Sequence, residues 1–495
     1  MNLTKLLNGI PHEIIQTGEN ADVSSVTIDS RRVKPGAMFI CLRGLNVDGH
    51  NFINAVTETG AAAVMVEEAG DNYPSHLTVI RVKNTRQAMA YVAANYYGHP
   101  AKKLRLIGVT GTNGKTTTTY FIEEMLRKLG RKTGLIGTVG ARVGDTLLDI
   151  PYATSTTPDP LELHAIFAKM VELGVQDVVM EVTSHALALF KMEGLVFDVG
   201  VFTNLTQDHL DFHGTMVNYA LAKAQLFAQS KIAIVNGDDD YVAVMLALHN
   251  DNAPYLIYSI NTSTNLQAKN IEYHPHGSTF ELLGEKFHLP VSGKFNIYNI
   301  LATIGTTLAL NANVKFNETD TVPDYTTEIR KAVSEISGVP GRIQSVPNAL
   351  GVQIFVDYAH SPDGLQNIIN SVREVTQGRV ITLFGCGGDR DKTKRPIMGL
   401  IAGQLSDYCI LTSDNPRTED PFEIIAHAEE GIKQTTTPYE ICENRKDAIF
   451  AGVKMLQKGD ALIIAGKGHE DYQEVGKTKY PFSDYDTAMQ AIESR

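Results

Sequence analysis

Residues 104–130 run LRLIGVTGTNGKTTTTYFIEEMLRKLG, so an apolar segment, a glycine-rich loop and an amphipathic segment follow one another without interruption. The apolar segment predicts a buried strand, and the apolar spacing after the loop predicts a helix that ends at Gly130. A strand joined to a helix by such a short loop constrains the fold, because the helix then packs against a mostly parallel sheet. The chain is therefore predicted to contain an α/β domain built around this loop.

The loop itself predicts a phosphate site. Glycines let successive backbone N–H groups surround phosphate oxygens, and the start of the helix adds its positive end. Lys115 can reach the terminal phosphates of a nucleotide, and the Thr116 hydroxyl can bind magnesium. The usual pattern has a glycine five positions before Gly114, where this chain has Val109, so the match covers the G-K-T end with a variant entry. Alone, the loop predicts NTP binding without separating a motor, a switch GTPase, a kinase or a ligase.

The alternation of strands and helices continues through the chain and resumes after residue 338. Strands are predicted at 132–140, 176–184, 198–205 and 231–239, with helices at 161–174 and about 215–229, and later strands at 352–359, 379–385, 408–413 and 460–466. The segment YYGHPAKK predicts a first linker, and SEISGVPGR a second. We therefore predict three domains, at residues 1–100, 101–337 and 338–495. Ligands of open α/β sheets bind beyond the carboxyl ends of the strands, where the polar motifs lie.

Composition excludes several classes of protein. The 44 basic and 56 acidic residues give a net charge of −12, which argues against binding nucleic acid or an anionic membrane. No apolar run approaches the roughly 18 residues of a membrane span, and no signal peptide is recognisable. The four cysteines lack metal-site spacing, which favours free thiols in a reducing compartment. We expect a cytoplasmic monomer that acts on small molecules without membrane insertion.

Further polar residues follow other predicted strands. Glu181 ends one strand, where a carboxylate suits magnesium, although a helix-capping role is as good an interpretation. Asp208 and His209 follow another strand, with Asp211 and His213 close behind, and their spacing does not match a zinc helix. We predict a second ion or phosphate site there. The loop TTPDP at 156–160 could hold an anionic group or cap the next helix.

Together these motifs resemble the Mur ligase family, ATP-dependent enzymes that form amide bonds and extend the peptide of the peptidoglycan precursor. The matching segments run in family order over nearly the whole chain. They are TGTNGKTT, TTPDP, MEVTSHAL, FTNLTQDHLDFHG, YALAKAQLF, GKFNIYN, GVPGR, VDYAHSPDG, FGCGGDRDKTKRPIM, SDNPR and AGKGHEDYQ. The N-terminal segment DSRRVKPGAMF is similar to that of members that add the third amino acid of the peptide.

The resemblance implies an α/β fold with an N-terminal UDP-binding α/β domain, a central P-loop ATPase domain with a mostly parallel sheet, and a C-terminal Rossmann-like domain. It also implies the substrates ATP, UDP-N-acetylmuramoyl-dipeptide and meso-diaminopimelate, with Mg²⁺ as cofactor. The γ-phosphate would pass to the D-glutamate side chain to give an acyl phosphate, which an amine then attacks. Phosphorylation suits this chemistry because it gives a poorly electrophilic carboxylate a leaving group.

Site residues are implied by the same resemblance. Those expected to bind ATP are Gly111, Thr112, Asn113, Gly114, Lys115, Thr116, Thr117, Asn296, Asn299, Arg342 and Asp357. Those expected to bind the UDP-sugar-peptide are Ser30, Thr156, Thr157, Ser184 and Lys191. Those expected to bind diaminopimelate are Arg390, Asp414, Asn415, Pro416, Arg417, Gly466 and Glu470. The expected catalytic group is Lys115, Glu181, His209 and Lys223, and the expected metal ligands are Thr116, Glu181, His209 and Lys223 as its carbamate.

Lys223 would be an N6-carboxylysine, because a carbamate reverses the charge of an ammonium beside magnesium and supplies two oxygen ligands. Two positions depart from the family pattern. Lys191 stands where an arginine is usual and keeps the charge without the bidentate fork. Thr183 stands where serine is commoner.

Arg417, in SDNPR, has the greatest consequence for the substrate. Meso-diaminopimelate differs from lysine by one carboxylate at its far end, which a guanidinium can bind with two parallel hydrogen bonds. The resemblance implies that DNPR marks diaminopimelate-adding members, with Glu470 facing an ammonium. The alternatives are a lysine-adding ligase, a folylpolyglutamate synthetase or D-alanyl-D-alanine-adding relative, and a P-loop switch or motor ATPase with a partner-binding C-terminal domain. The segments GGDRD, DNPR and GKGHE together argue against the two relatives.

Overall fold

The structure is a computed structural model that describes all residues except 20–21, 45–46, 69, 71–72, 151–155, 275–276 and 311–325. The chain divides into two compact units. The first comprises the described residues of Met1–Asn265 and Ala302–Thr321, and the second those of Leu266–Leu301 and Val322–Arg495. The domain limits 1–100, 101–337 and 338–495 stay a prediction.

The first unit begins with a five-stranded sheet in the order β1-β5-β4-β3-β2, parallel except for β1 at one edge. Its strands are β1 (Glu13–Gln16), β2 (Val26–Thr27), β3 (Met38–Ile40), β4 (Ala63–Val66) and β5 (Thr78–Arg81). Its helices are α1 (Leu3–Leu6), α2 (Ile53–Glu58) and α3 (Thr85–Tyr96). Every side chain of β3 and β4 is apolar and buried, so apolar residues pack against both faces of the sheet.

The second sheet of this unit carries the glycine-rich loop. Its strands are β6 (Arg105–Thr110), β7 (Thr133–Gly137), β8 (Gly140–Val143), β9 (Thr146–Leu147), β10 (Asp177–Glu181), β11 (Phe197–Phe202), β12 (Ser230–Asn236) and β13 (Tyr255–Ser259). They follow the order β13-β12-β11-β6-β10-β7-β8-β9, parallel from β13 to β7. Its helices are α4 (Lys115–Lys128), α5 (Pro160–Glu172), α6 (Ser184–Ala188), α7 (Leu210–His213), α8 (Met216–Ala228) and α9 (Val242–Ala247). The carboxyl ends of β11, β6 and β10 are therefore neighbours.

The second unit contains a small antiparallel sheet and a larger, mostly parallel one. The small sheet has the order β15-β16-β17, with β15 (Lys269–His274), β16 (Gly277–Leu282) and β17 (Glu285–Leu289). This unit also contains β14 (Leu266–Gln267), α11 (Thr326–Ser334) and the start of α10 (Lys294–Leu310), whose residues from Ala302 on belong to the first unit. The larger sheet has the order β18-β19-β23-β20-β21-β22, antiparallel only at β18. Its strands are β18 (Gln344–Ser345), β19 (Gln353–Asp357), β20 (Val380–Phe384), β21 (Tyr408–Leu411), β22 (Tyr439–Ile441) and β23 (Ala461–Ala465).

Helices cover both faces of this larger sheet. One face packs on α12 (Pro362–Val375), α13 (Lys394–Leu405) and α14 (Pro421–Ile432), and the other on α15 (Arg445–Met455) and α16 (Asp484–Glu493). A hairpin of β24 (Tyr472–Val475) and β25 (Thr478–Pro481) follows β23. The strand order places the carboxyl ends of β19, β23, β20 and β21 side by side, as a Rossmann-like domain requires. Within the described residues, no helix has the length and apolar character needed to cross a membrane.

Candidate active site

The phosphate loop lies between β6 and α4 and is held by the segment that follows β11. Asn204 Oδ1 accepts the N–H of Asn113 at 2.9 Å, and Asn204 O accepts the N–H of Thr112 at 2.8 Å. Thr203 Oγ1 donates to Asn113 O at 2.6 Å. Gly111 has a φ of 153°, and a Cβ added there would lie 1.8 Å from Thr203 Oγ1. The loop therefore needs glycine at this close approach.

The start of α4 presents the predicted phosphate and metal side chains. Gly114 precedes the helix with a φ of 81°, and Lys115 is its first residue. Lys115 Nζ donates to Gly111 O at 2.9 Å and to Thr112 O at 2.7 Å, so the ammonium lies over the loop. Thr117, in the first turn, is buried. The loop amides, the helix N-terminus and one ammonium thus share one place, which is what an anionic phosphate chain requires.

Glu181 ends β10, beside the loop strand, and is 1% exposed. Its Oε2 accepts the Thr116 hydroxyl at 3.1 Å, and its Oε1 accepts the N–H of Thr138 at 2.9 Å. Gly137 leaves room for it, because a Cβ there would lie 2.3 Å from Oε1. Carboxylate and hydroxyl oxygens are the hard donors that magnesium prefers. Within the described residues, no group of three or more His, Cys, Asp or Glu side chains could hold a metal ion.

Lys223 lies on α8 and is 1% exposed. Its Nζ donates to Gly111 O at 2.7 Å and lies 4.6 Å from the centre of the Tyr219 ring. Burial, and after it the charge of Lys115, hold the pKa of Lys223 well below its usual range, against the opposing charge of Asp208. Burial therefore disfavours the charged form of this amine, which lies directly beneath the phosphate loop.

Three imidazoles surround the start of α7. The ring centre of His185 lies 4.8 Å from that of His209 and 5.4 Å from that of His213. His213 Nε2 and Ser184 Oγ are 2.9 Å apart and share a hydrogen bond. Burial lowers the pKa of His209 and His213, and burial together with the neighbouring imidazoles lowers the pKa of His185 to about 4. All three rings are therefore neutral at pH 7.

Two of the residues expected to bind the sugar-peptide, Thr156 and Thr157, lie beside Glu181. Thr157 Oγ1 donates to Glu181 O at 3.0 Å, and the hydroxyls of Thr156 and Thr138 are 3.2 Å apart. Lys191 is 8% exposed, with Nζ 2.9 Å from Asp159 Oδ1. The lysine that replaces the usual arginine is therefore already paired within the protein.

Ser30 and Thr183 open short helical turns. Ser30 is half-buried and begins the 3₁₀ helix Ser30–Arg32, which Asp29 caps by accepting the N–H of Arg31 at 3.0 Å. Thr183 caps α6 by accepting the N–H of Ala186 at 3.2 Å. The threonine that departs from the family pattern thus fills the capping role that a serine could fill.

Four residues expected to contact ATP lie in the second unit. Asn296 and Asn299 occupy the first turns of α10, where Asn299 Nδ2 donates to Asn296 Oδ1 at 3.2 Å. Asp357 ends β19 and accepts the N–H of Ala359 at 2.7 Å. Burial raises the pKa of Asp357 despite the nearby charge of Arg342. These are buried polar groups at a strand end and a helix start, positions that commonly bind ligands.

The residues expected to bind diaminopimelate meet at the carboxyl ends of β21 and β23. Asn415 Nδ2 donates to Glu470 Oε2 at 2.8 Å. Lys467 is fully buried and donates to Asn415 Oδ1 at 2.8 Å and to Glu470 Oε2 at 3.2 Å. Gly466 has a φ of 121°, and a Cβ there would lie 2.3 Å from Asp414 Oδ2. Two carboxylates and an amide are thus gathered around one buried ammonium.

The side chains of Arg390 and Arg417 both pass close to Gly387. A Cβ added to Gly387 would lie 3.2 Å from Arg417 Nη1 and 3.6 Å from Arg390 Cγ. Arg417 Nη1 donates to Gly388 O at 2.7 Å, and its Nε donates to Glu474 Oε2 at 3.1 Å. Gly388 must be glycine, because a Cβ would lie 1.9 Å from the carbonyl oxygen of Pro416. The strand ends therefore bring Arg390 and Arg417 together although 27 positions separate them in the sequence.

Several residues of these clusters are not singled out by the sequence. Asn204 holds the phosphate loop, Lys467 joins Asn415 to Glu470, and Glu474 pairs with Arg417. The position of Lys467 between Gly466 and Glu470 in GKGHE could have indicated it. Asn204 and Glu474 carry no such signal, because their partners are distant in sequence.

Models of three known domains match the chain. The Mur ligase family catalytic domain matches residues 22–97, the Mur ligase middle domain residues 109–307, and the Mur ligase glutamate ligase domain residues 341–468. A UDP-N-acetylmuramoyl-L-alanyl-D-glutamate–2,6-diaminopimelate ligase of Caldanaerobacter subterraneus subsp. tengcongensis is 41% identical over 497 residues, covering 99% of each chain. The protein of that name from Bacillus licheniformis is 40% identical over 506 residues, again covering 99% of each.

Solved structures give the same picture. A structure described as UDP-N-acetylmuramoyl-L-alanyl-D-glutamate–2,6-diaminopimelate ligase is 30% identical, has a TM-score of 0.70 and matches over 100% of this chain and 99% of its own. MurF from Thermotoga maritima in complex with ADP has a TM-score of 0.60 at 18% identity, covering 95% and 97%. The second likeness shows the fold alone. The predicted three-domain α/β architecture is confirmed.

Proposed function

The chain belongs to the Mur ligase family, and from this we propose that it adds meso-diaminopimelate to UDP-N-acetylmuramoyl-L-Ala-D-Glu during peptidoglycan synthesis. It is an ATP-dependent ligase that forms an amide bond and releases ADP and phosphate. Its proposed place of action is the cytoplasm, where its substrates are small molecules.

The reaction that we propose has two steps. The γ-phosphate of ATP passes to the D-glutamate side-chain carboxylate, and the amine of diaminopimelate then attacks the acyl phosphate and expels phosphate. The loop amides and Lys115 hold the phosphates and offset their spread negative charge. The neutral imidazole of His209 and the buried carboxylate of Glu181 lie close to the same loop. Asn296, Asn299, Arg342 and Asp357 are proposed to contact the nucleotide.

The approach of Arg390 and Arg417 to Gly387 supports the proposed choice of amino acid. Diaminopimelate has a carboxylate and an ammonium at each end. Arg390 and Arg417 supply two cations, while Asp414 and Glu470 supply anions at the same strand ends. A buried carboxylate without a partner would be costly, so a second arginine fits a second carboxylate.

An amino-acid panel in a phosphate-release assay tests the function. With ATP, Mg²⁺ and UDP-N-acetylmuramoyl-L-Ala-D-Glu present, meso-diaminopimelate is expected to give rapid release and lysine little. Equal use of lysine would contradict the choice of amino acid. Steady release without any amino acid would instead favour a switch or motor ATPase.

The oxygen donors beside the loop fit magnesium. Thr116 Oγ1 and the Glu181 carboxylate are in contact and buried, and the remaining ligands would come from phosphate oxygens and water. His209 and the carbamate of Lys223 are proposed to serve a second ion. When bound, magnesium would neutralise the charge that develops on the transferred phosphoryl group.

Lys223 is proposed to be carbamylated. In its uncharged form, which burial favours, the amine would attack the carbon of CO₂ and lose one proton to solvent, which leaves a carbamate with one negative charge. The contact of Nζ with Gly111 O supports a place for this group at the loop. Carbon NMR after labelling with ¹³C-bicarbonate should show one carbamate signal that Lys223→Ala removes together with activity. Unchanged activity of Lys223→Ala would contradict the proposal.

A further inference from the structure

The hairpin of β24 and β25 is attached to the turn that carries Arg417. Arg417 N donates to Glu474 O at 3.1 Å, and Gly476 N donates to Arg417 O at 2.7 Å. Glu474 N also donates to Asn415 Oδ1 at 2.9 Å. These bonds use the backbone of the hairpin, so they fix Glu474 beside Arg417 whatever its side chain does.

The Glu474 side chain occupies one donor of the guanidinium. Its Oε2 accepts from Arg417 Nε at 3.1 Å, while Nη1 donates to Gly388 O. For Nη2, the structure gives no hydrogen-bond partner within the described residues. The two side chains are 20% and 24% exposed, so a small ligand can reach them. Nε and Nη2 form an edge that binds a carboxylate through two parallel hydrogen bonds, and Glu474 already uses half of it.

We infer that Glu474 is an internal counter-ion that competes with the distal carboxylate of diaminopimelate for Arg417, an inference that rests on the proposed function. An incoming carboxylate must either displace Glu474 from Nε or bind the other edge close to a like charge. Either route weakens the binding of diaminopimelate, since like charges a few ångströms apart repel. Glu474 thereby sets the affinity of the amino-acid site.

A positioning role for the Glu474 carboxylate is disfavoured by the other contacts of Arg417. Its backbone is held on both sides by the hairpin, and its Nη1 is held by Gly388 O. None of these contacts needs a carboxylate at position 474. The charge also makes the site more tolerant of lysine, because it offsets the repulsion between Arg417 and an ammonium. Removing the charge should therefore strengthen diaminopimelate binding selectively.

Glu474→Gln is the test, because it removes the charge and keeps the shape and the backbone bonds. With the full chain, the KM for meso-diaminopimelate is expected to fall about twofold to fivefold, the range that an exposed ion pair can supply. The KM for ATP should stay unchanged, and use of lysine should not improve. Glu493→Gln, at an exposed position on α16, is the matched control and should leave every constant unchanged.

The result separates this inference from the proposed function. Turnover of diaminopimelate by the unmodified enzyme tests the function, and the ratio of the two KM values tests Glu474. A damaged fold does not improve affinity, so a lower KM supports competition. An unchanged KM, or a higher one that would indicate that Glu474 positions Arg417 or binds substrate, would overturn the inference.

Discussion

The guanidinium of Arg417 is predicted to decide whether the distal carboxylate is bound. In Arg417→Ala that carboxylate would enter the site without its partner, so kcat/KM for diaminopimelate should fall roughly 100-fold, about 2.7 kcal/mol. Alanine keeps a Cβ, so the backbone strain at the φ of 50° is unchanged. Steady-state kinetics should show this loss with an unchanged KM for ATP. Arg417→Lys keeps the charge but not the two parallel hydrogen bonds, so its kcat/KM for diaminopimelate should lie between those of the unmodified chain and Arg417→Ala.

Lys467 is predicted to hold Asn415 and Glu470 of the amino-acid site in place. It is fully buried, and its ammonium joins Asn415 to Glu470 and lies 3.9 Å from Asp414 Oδ1. Lys467→Met keeps the length of the side chain but leaves the two carboxylates without their cation. Breaking a buried pair costs about 3–5 kcal/mol, so the variant should be less stable and should bind diaminopimelate more weakly.

Kinetics distinguish this positioning role from a general loss of folded protein. In the fraction of Lys467→Met that stays folded, the KM for diaminopimelate should rise about tenfold or more while the KM for ATP is retained. Lys477→Met, at an exposed lysine in the turn of the adjacent hairpin, is the matched control and should behave like the unmodified chain. If both KM values rise equally, or if neither rises, Lys467 does not act on the amino-acid site.

At the scale of elements, the phosphate loop depends on one glycine more than on its neighbours. Gly111→Ala would place a methyl group 1.8 Å from Thr203 Oγ1 at a φ of 153°, so the loop would have to move away from its anchor. The dissociation constant of ATP, measured by titration calorimetry, should rise at least about tenfold. Gly130→Ala, also at positive φ but facing open space, should cost about 1 kcal/mol of stability and spare ATP binding. Equal affinities in the two variants would contradict the role of the loop.

Elements also show how far the sequence alone can lead. The alternation around β6, α4, β10 and β11 predicts a parallel sheet, and a parallel sheet gathers its carboxyl ends, so the polar residues after those strands are predictable. The docking of β24 and β25 on the Arg417 turn is not predictable, because local periodicity says nothing about which distant backbone a hairpin contacts. For the same reason Glu474 escapes notice, although Arg417 itself is evident from its motif.

For the whole molecule, the predicted division into three domains comes from linkers and from changes in pattern, which locate boundaries only within a few residues.

Acid sensitivity, in contrast, depends on the burial of particular side chains, and the sequence does not give that burial. His164, on α5, is 3% exposed, and burial, with the charge of His99, lowers the pKa of His164 to about 4. Its ring lies edge-on to Phe167, with 5.8 Å between the ring centres.

This burial predicts that the chain loses stability as the pH falls from about 6.5 to 4. In that window His164 is protonated in the unfolded chain but not in the folded one, so protonation favours unfolding. The loss in the free energy of unfolding reaches about 3 kcal/mol at the lower end of the window. Burial lowers the pKa of His185 and His469 to about 4 as well, which acts in the same direction. Urea midpoints followed by circular dichroism should therefore be lower at pH 5 than at pH 7. His164→Leu should reduce the difference between the two pH values. His12→Gln, at an exposed histidine, is the control and should leave the difference unchanged. An unreduced difference in His164→Leu would show that the buried imidazole is not responsible.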